Sequence, residues 1–338
     1  MTLGIAVCTL GNHAQRNLLP AIAASTSWKL AGVYSRKVEI VDHVAAFYGV
    51  TAYQTLEAML ADDAVSAVVI AGPNGIHAAQ AMAAINAGKH VFVEKTLAPS
   101  PAEVSELIRA SEHAGVVLAE CFMYQHHEQF RVLRELLSGG SLGTVRSITA
   151  RFGFPHLADT DIRYSSALAG GALNDAGAYC VSASLALMGT TPIAVTGNLS
   201  SPDGHEVDTQ GGALLEFANG ATAHCDWGFG RAYSNQIEIW LRDAIVTVER
   251  AFSKGVDLIT AIKIEHQREN RLELLQVSAD NHFVRMFDAL AEATRERATA
   301  DVLRRELDVQ AVVMDAIRSP HARFPQGDGL AAHFANRK

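Results

Sequence analysis

Two patterns alternate along the first 120 residues. Short, continuously apolar and β-branched runs occupy 3–7, 29–34, 67–71, 90–93 and 116–119, without the polar alternation of a strand that has one wet face. Such runs predict strands buried on both sides. Between them, 12–24, 38–48, 75–87 and 101–114 read as helices, and Gly49, Gly88 and Gly115 sit where a helix C-cap belongs. Alternating strand and helix predicts an α/β unit built on a doubly wound parallel sheet, over residues 1–120.

After residue 120 the pattern changes. A helix at 128–137 leads into a strand at 144–154, and a second helix at 172–188 contains the most polar motif of this half. Strand candidates then follow one another at 192–197, 210–217, 222–229, 236–241, 245–249, 258–266 and 271–277. Several alternate in polarity, as in Gln236-Ile237-Glu238-Ile239-Trp240, and predict a broad, largely antiparallel sheet with one covered face. Helices at 283–297 and 301–317 close the chain, so 121–338 is expected to form an α+β domain.

A length of 338 residues fits about two domains. With 49% hydrophobic and 19% charged residues the chain can bury a sizeable core, which excludes long disorder, collagen, coiled coil and a disulfide scaffold. The 28 basic and 36 acidic residues leave a net charge of −8, which argues against a nucleic-acid partner or an anionic membrane surface. Any bound anion must be held locally. No apolar run approaches the roughly 18 to 20 residues that span a bilayer, and Met1-Thr2-Leu3-Gly4-Ile5 reads as the start of a strand in a cytoplasmic protein. Cys8, Cys121, Cys180 and Cys225 are far apart and form no Cys-x-x-Cys, so reduced, buried thiols are expected, with neither zinc nor disulfides.

The candidate chemistry lies where the strands end. Val7-Cys8-Thr9-Leu10-Gly11-Asn12-His13-Ala14 joins the first strand to the first helix with the spacing Thr-x-Gly-x-x-Ala. A Rossmann-type fold places a cofactor pyrophosphate there, on the unpaired N–H groups and positive dipole end of the helix. Thr9 stands at the usual first glycine and adds a Cβ to a tight turn. An NAD site usually carries an acid at the end of the second strand, but Tyr34-Ser35-Arg36-Lys37 offers no carboxylate before Glu39. A hydroxyl followed by two cations suits a 2′-phosphate, hence NADP(H).

Further strand ends carry Gly72-Pro73-Asn74-Gly75-Ile76-His77, in which Asn74 can cap the next helix, and Glu94-Lys95-Thr96. A lysine flush against an apolar strand is expensive unless it is paired, for instance with Glu94, or used. In Gly170-Gly171-Ala172-Leu173-Asn174-Asp175-Ala176-Gly177-Ala178-Tyr179, Asp175 and Tyr179 are four apart and share a helix face. His126-His127-Glu128 are neighbours that point in different directions on one turn, which fits a structural or substrate-contacting role and no metal.

Taken together these motifs resemble the Gfo/Idh/MocA oxidoreductases over nearly the whole chain. The family's glycine turn, Glu-Lys-Pro segment and Gly-Gly-x-x-x-Asp-x-Gly-x-His/Tyr motif are matched by 9–14, Glu94-Lys95-Thr96 and 170–179, with Thr96 in place of the proline. The resemblance implies that Lys95, Asp175 and Tyr179 form the catalytic group. It places cofactor contacts at Thr9, Leu10, Gly11, Asn12, His13, Ser35, Arg36, Lys37, Gly72, Pro73, Asn74, His77, Glu94 and Lys95. The second domain is then expected to supply an open sheet for substrate binding and for packing into a homodimer or homotetramer. A tyrosine, with an ordinary pKa near 10, transfers protons poorly at neutral pH unless a charge such as that of Lys95 lowers it.

Met123-Tyr124-Gln125-His126-His127, Asp161-Ile162-Arg163-Tyr164, the stretch 228–233 and Glu249-Arg250-Ala251-Phe252 are similar to the NDP-hexose 3-ketoreductase branch. That branch implies substrate contacts at Tyr124, His126, Arg163, Asp175 and Tyr179, with Arg163 and Arg231 as candidate cations for a diphosphate. The expected activity is therefore NADPH-dependent reduction of a sugar ketone, the sugar being nucleotide-linked. Dehydrogenation of free aldoses or cyclic diols is the alternative, and a catalytically silent NADP(H)-binding regulator is the third reading. A merely structural Arg163 would pair with Asp159 or Asp161, and a silent regulator would have lost Lys95 and Tyr179.

Overall fold

The computed structural model describes residues 2–319 and the short strand Ala322–Arg323. The chain divides into two compact units, one comprising residues up to Met123 with Asn281–Asp308, the other Tyr124–Asp280 with the chain from Val309.

In the first unit, β1 (Leu3–Cys8), β2 (Trp28–Tyr34), β3 (Thr51–Tyr53), β4 (Ala67–Ile70), β5 (His90–Val93) and β6 (Leu118–Glu120) form one sheet in the order β3-β2-β1-β4-β5-β6. Its neighbours are parallel throughout. Residues 5–8, 67–70 and 91–93 are buried because helices cover both faces, which is why their sequences are continuously apolar. The crossovers are α1 (Leu19–Ala24), α2 (Val38–Tyr48), α3 (Leu56–Leu60), α4 (Asn74–Asn86) and α5 (Pro101–Ala114). Left-handed Gly49 and Gly115 end α2 and α5. Strand order reverses between β1 and β4, and a doubly wound sheet binds ligands outside the carboxyl ends of its strands at such a point. β3 and α3 are too short to register in the hydrophobic pattern.

The second unit is built on β7 (Val145–Phe154), β8 (Ala194–Ser200), β9 (Gln210–Glu216), β10 (Thr222–Phe229), β11 (Ser234–Leu241), β12 (Ala244–Glu249), β13 (Thr260–His266), β14 (Arg271–Val277) and β15 (Ala322–Arg323). Their order is β14-β13-β12-β11-β7-β10-β9-β8-β15, antiparallel except for the parallel pair β7 and β10. Alternation fixes the two faces. Ile148, Ala150 and Phe152, beside Ala223, Cys225 and Trp227, turn to the face covered by α7 (Ala178–Met188). Thr149 and Arg151, beside His224 and Asp226, turn to the open face. α6 (Glu128–Ser138) completes this unit.

Sequence order alone places α8 (His282–Ala293) and α9 (Arg297–Arg318) with the second sheet. Three polar ties instead attach α8 and the first part of α9 to the first unit. Trp28 Nε1 donates to the Phe287 carbonyl at 2.7 Å, the Ser25 hydroxyl to Asp288 at 2.6 Å, and Arg304 to Ser111 Oγ and the Val116 carbonyl at 3.1 and 2.8 Å. Among the described residues no helix is long and apolar enough to cross a membrane.

Candidate active site

The cofactor side of the first unit begins at Thr9, whose φ of +74° reverses the chain at the end of β1 while its N–H donates to the Tyr34 carbonyl of β2 at 2.7 Å. Leu10 is buried, so it offers a ligand only its backbone. Gly11, Asn12 and His13 are exposed at the start of a helix over 12–24, of which Ala14–Leu18 is a π-helical turn. A Cβ added to Gly11 meets no atom within 4 Å, so the turn faces open space that a phosphate can approach. At the end of β2, Ser35 is half-buried and Arg36 and Lys37 are exposed, with Lys37 preceding the first turn of α2. An open turn, an exposed helix start and two cations without a carboxylate fit a phosphorylated dinucleotide.

At the end of β4, Pro73 takes the N-cap position of α4, so Asn74 is the first helical residue and not the expected cap. His77 departs from its expected role as a cofactor contact. It is fully buried, with Nδ1 2.7 Å from the Thr96 carbonyl and Nε2 2.8 Å from the Gly72 carbonyl, and so ties two strand ends together from beneath. Burial draws its pKa below the ordinary value, against the pull of these carbonyls and of Glu94. Beyond β5, Glu94 lies 3.2 Å from His13 Nε2. Burial opposes its charge, but His13, Lys95 and His77 hold its carboxyl below the usual range. The Lys95–Thr96 peptide is cis.

In the second unit the sequence of the 170–179 motif follows from packing. Gly171 has φ +105°, and a Cβ there would stand 2.4 Å from Asp208 Oδ1. Asp208 in turn accepts from the Leu173 N–H at 2.7 Å, where Leu173–Gly177 forms a second π-helical turn. A Cβ on Gly177 would stand 2.8 Å from the buried indole of Trp227. Asn174 donates to the Ala169 carbonyl at 3.0 Å and accepts from Arg318 at 2.6 Å.

Asp175 and Tyr179 therefore leave a turn that is fixed on all sides. Tyr179 is 6% exposed, its ring set among Phe152, Phe252 and Tyr124 at centroid distances of 5.3, 5.6 and 5.8 Å. Arg163 donates to Asp175 Oδ2 at 2.8 Å and to Asp161 Oδ1 at 3.1 Å. It is shared between two carboxylates, one of which marks a structural arginine.

Two further expectations need correction. Tyr124 is fully buried and donates to Ser182 Oγ at 2.9 Å, so it braces the helix of Tyr179 and has no surface for a substrate. Arg231 pairs with Asp226 and Gln210 at 2.6 and 3.1 Å, over Gly153 and Gly228 on the open face, whereas Phe152 and Trp227 face Tyr179 and Gly177 on the other. His126 is half-buried, and burial with the nearby Arg134 pulls it down to about 4, leaving it neutral at pH 7. His127 accepts from the Gln129 N–H at 2.9 Å and caps α6. Asp208, Trp227, Phe152 and Phe252 are not identifiable as site supports from sequence, since each meets the motif from 27 or more residues away.

A doubly wound unit with an open turn and a strand-end lysine, joined in one chain to a sheet unit with an Asp and a Tyr on one helical segment, defines a nicotinamide-dependent oxidoreductase. Residues 3–122 match the oxidoreductase family with the NAD-binding Rossmann fold and residues 130–247 the GFO/IDH/MocA C-terminal domain, so the chain belongs to the Gfo/Idh/MocA oxidoreductase family. It is 32% identical over 299 residues to a dTDP-3,4-didehydro-2,6-dideoxy-alpha-D-glucose 3-reductase of Saccharopolyspora spinosa, covering 88% of this chain and 89% of that one. It is 34% identical over 305 residues to D-xylose 1-dehydrogenase (NADP(+)) 2 of Haloferax volcanii, covering 89% and 92%. A 3-ketoreductase from Actinomadura kijaniata, solved with NADP and TDP-benzene, superposes with a TM-score of 0.88 at 28% identity, covering 95% and 98%.

Proposed function

We propose that this protein is an NADP(H)-dependent oxidoreductase that transfers a hydride between the nicotinamide and a carbonyl or hydroxyl carbon of a sugar. The observation that carries this reading is that each unit supplies one proton-handling group at a defined place, Lys95 at the ligand end of β5 in the first and Tyr179, held by three aromatic rings at the start of α7, in the second. A silent regulator needs neither. NADP(H), when bound, supplies or accepts the hydride. In reduction, Tyr179 Oη gives its proton to the oxygen that gains charge as the carbonyl carbon receives the hydride. The Lys95 ammonium stabilises the phenolate left behind until solvent restores the proton. In oxidation the same phenolate takes the hydroxyl proton. Asp175, fixed by Arg163, is placed to accept a hydrogen bond from a substrate hydroxyl. Ser35, Arg36 and Lys37 meet the 2′-phosphate, which supports NADP(H) over NAD(H), as do the NADP-linked relatives.

The ketoreductases of similar sequence favour a nucleotide-linked keto-deoxysugar as substrate. A free aldose or diol is the second reading, favoured by the two carboxylates on Arg163, by the place of Arg231 on the open face and by the xylose dehydrogenase. Calorimetry of the NADPH-loaded protein against nucleoside diphosphates and free sugars separates them. Nucleotide binding that weakens with salt supports the first, and sugar turnover without nucleotide binding supports the second.

The same reading includes a homodimer or homotetramer joined through the open sheet face, where Trp240, Leu272 and Leu274 are exposed. A monomer in sedimentation equilibrium would contradict it. Four buried free thiols support a reducing, cytoplasmic setting.

A further inference from the structure

Thr9 is the residue whose backbone fits its side chain least. Among the described residues four non-glycines have positive φ, and Thr9 has the largest value, +74°, and is the one that is β-branched. A Cβ carrying two heavy atoms is crowded in this conformation, whereas glycine adopts it freely. Strain of this kind persists where the surroundings impose it, and it concentrates at functional sites. The surroundings are specific here. The Thr9 N–H is held by the Tyr34 carbonyl of β2 at 2.7 Å, and its hydroxyl leans toward the end of β4, where a Cβ on Gly72 would come within 3.3 Å of Oγ1.

The hydroxyl therefore stands in the gap between β1 and β4, where the strand order reverses. Its protein neighbour there is the Cys8 thiol, 3.9 Å away, a weak partner that burial keeps protonated, with its pKa raised to about 11. Two residues further on, the space at Gly11 is open, and a hydroxyl is a donor that an anionic oxygen accepts from.

We propose that Thr9 binds the cofactor through its side chain: its hydroxyl donates a hydrogen bond to a pyrophosphate oxygen of the bound dinucleotide, and the left-handed backbone is kept for that contact. The inference rests on the NADP(H) reading. It assigns to a side chain what a glycine at this position would leave to backbone N–H groups.

Three variants and two probes test it. The probes are 2′-phospho-ADP-ribose, which contains the pyrophosphate, and 2′,5′-ADP, which does not. Thr9→Gly should melt about 2 °C higher without ligand, because the strain is gone, yet bind 2′-phospho-ADP-ribose roughly tenfold more weakly. Thr9→Val keeps the branching and removes the hydroxyl, so it should lose the same affinity with no gain in melting temperature. Thr9→Ser should retain affinity, and all three should bind 2′,5′-ADP within about twofold of the wild type. Wild-type affinity for 2′-phospho-ADP-ribose in Thr9→Gly or Thr9→Val overturns the assignment, as does an equal loss toward both probes. If the wild type binds neither probe, the NADP(H) reading fails and this inference with it.

Discussion

The two glycine-bearing turns of this chain use glycine for opposite purposes. At 9–14 the space beside Gly11 is empty and the left-handed conformation falls on Thr9, whereas at 170–177 a Cβ on Gly171 or Gly177 would collide with Asp208 or Trp227 of the same unit. In the first turn glycine keeps room for a ligand. In the second it lets the protein close on itself, so that Asp175 and Tyr179 emerge from a rigid seat. Loss of glycine should therefore weaken cofactor binding at one turn and folding at the other.

The largest effect belongs to the chemistry carried by the rigid turn. Tyr179→Phe should lower turnover by roughly two to four orders of magnitude, with NADPH affinity nearly unchanged, in steady-state kinetics on a substrate for which chemistry is rate-limiting. Turnover like the wild type's removes the tyrosine from the mechanism.

Gly171→Ala combines a left-handed backbone with a clash against Asp208, and should destabilise the protein by about 3–4 kcal/mol in urea unfolding. A change below about 1 kcal/mol would show that Asp208 moves aside.

A smaller effect comes from His126, in the short turn before α6. Its pKa falls from 6.5 to about 4 on folding, so below pH 6.5 the unfolded chain takes up the proton first and stability is lost down to about pH 4. The loss attributable to this group is up to about 3 kcal/mol. Urea unfolding at several pH values should show a shallower acid-side decline in His126→Asn than in the wild type, and equal slopes would place the histidine in water.

Gly11→Ala gives the smallest shift and the sharpest contrast with Gly171→Ala. Dinucleotide affinity should fall roughly tenfold while the melting temperature of the free protein stays within about 2 °C of the wild type. A large loss of stability would mean that both turns use glycine for packing.

The layout of the fold is legible in the sequence where burial is uniform or strictly alternating. Residues 67–70 and 91–93 are apolar because both faces are covered, and Gln236 to Trp240 alternates because one face is open. Lys95 stands out as a charge at the end of an apolar run. The partners of these residues leave no such trace. The attachment of Arg163 to Asp175 spans 12 residues through two short 3₁₀ turns, and no periodicity encodes it. Arg231 lies beyond the end of β10, after left-handed Gly230, where strand alternation no longer tells which face a side chain takes. Tyr124, expected to touch substrate from the resemblance of 123–127, is enclosed by three rings and Ser182 that lie elsewhere in the sequence. The return of α8 to the first unit rests on contacts between residues more than 250 positions apart.

Hydride transfer itself is the most direct test. NADPH deuterated at the transferable position of C4 is incubated with the wild-type protein and a panel of keto sugars, nucleotide-linked and free, and the products are read by mass spectrometry. One deuterium on the reduced carbon of a sugar for each NADPH oxidised, with far less product from Tyr179→Phe, is the predicted result. Absence of cofactor oxidation with every sugar, or a product that carries no deuterium, would contradict the account.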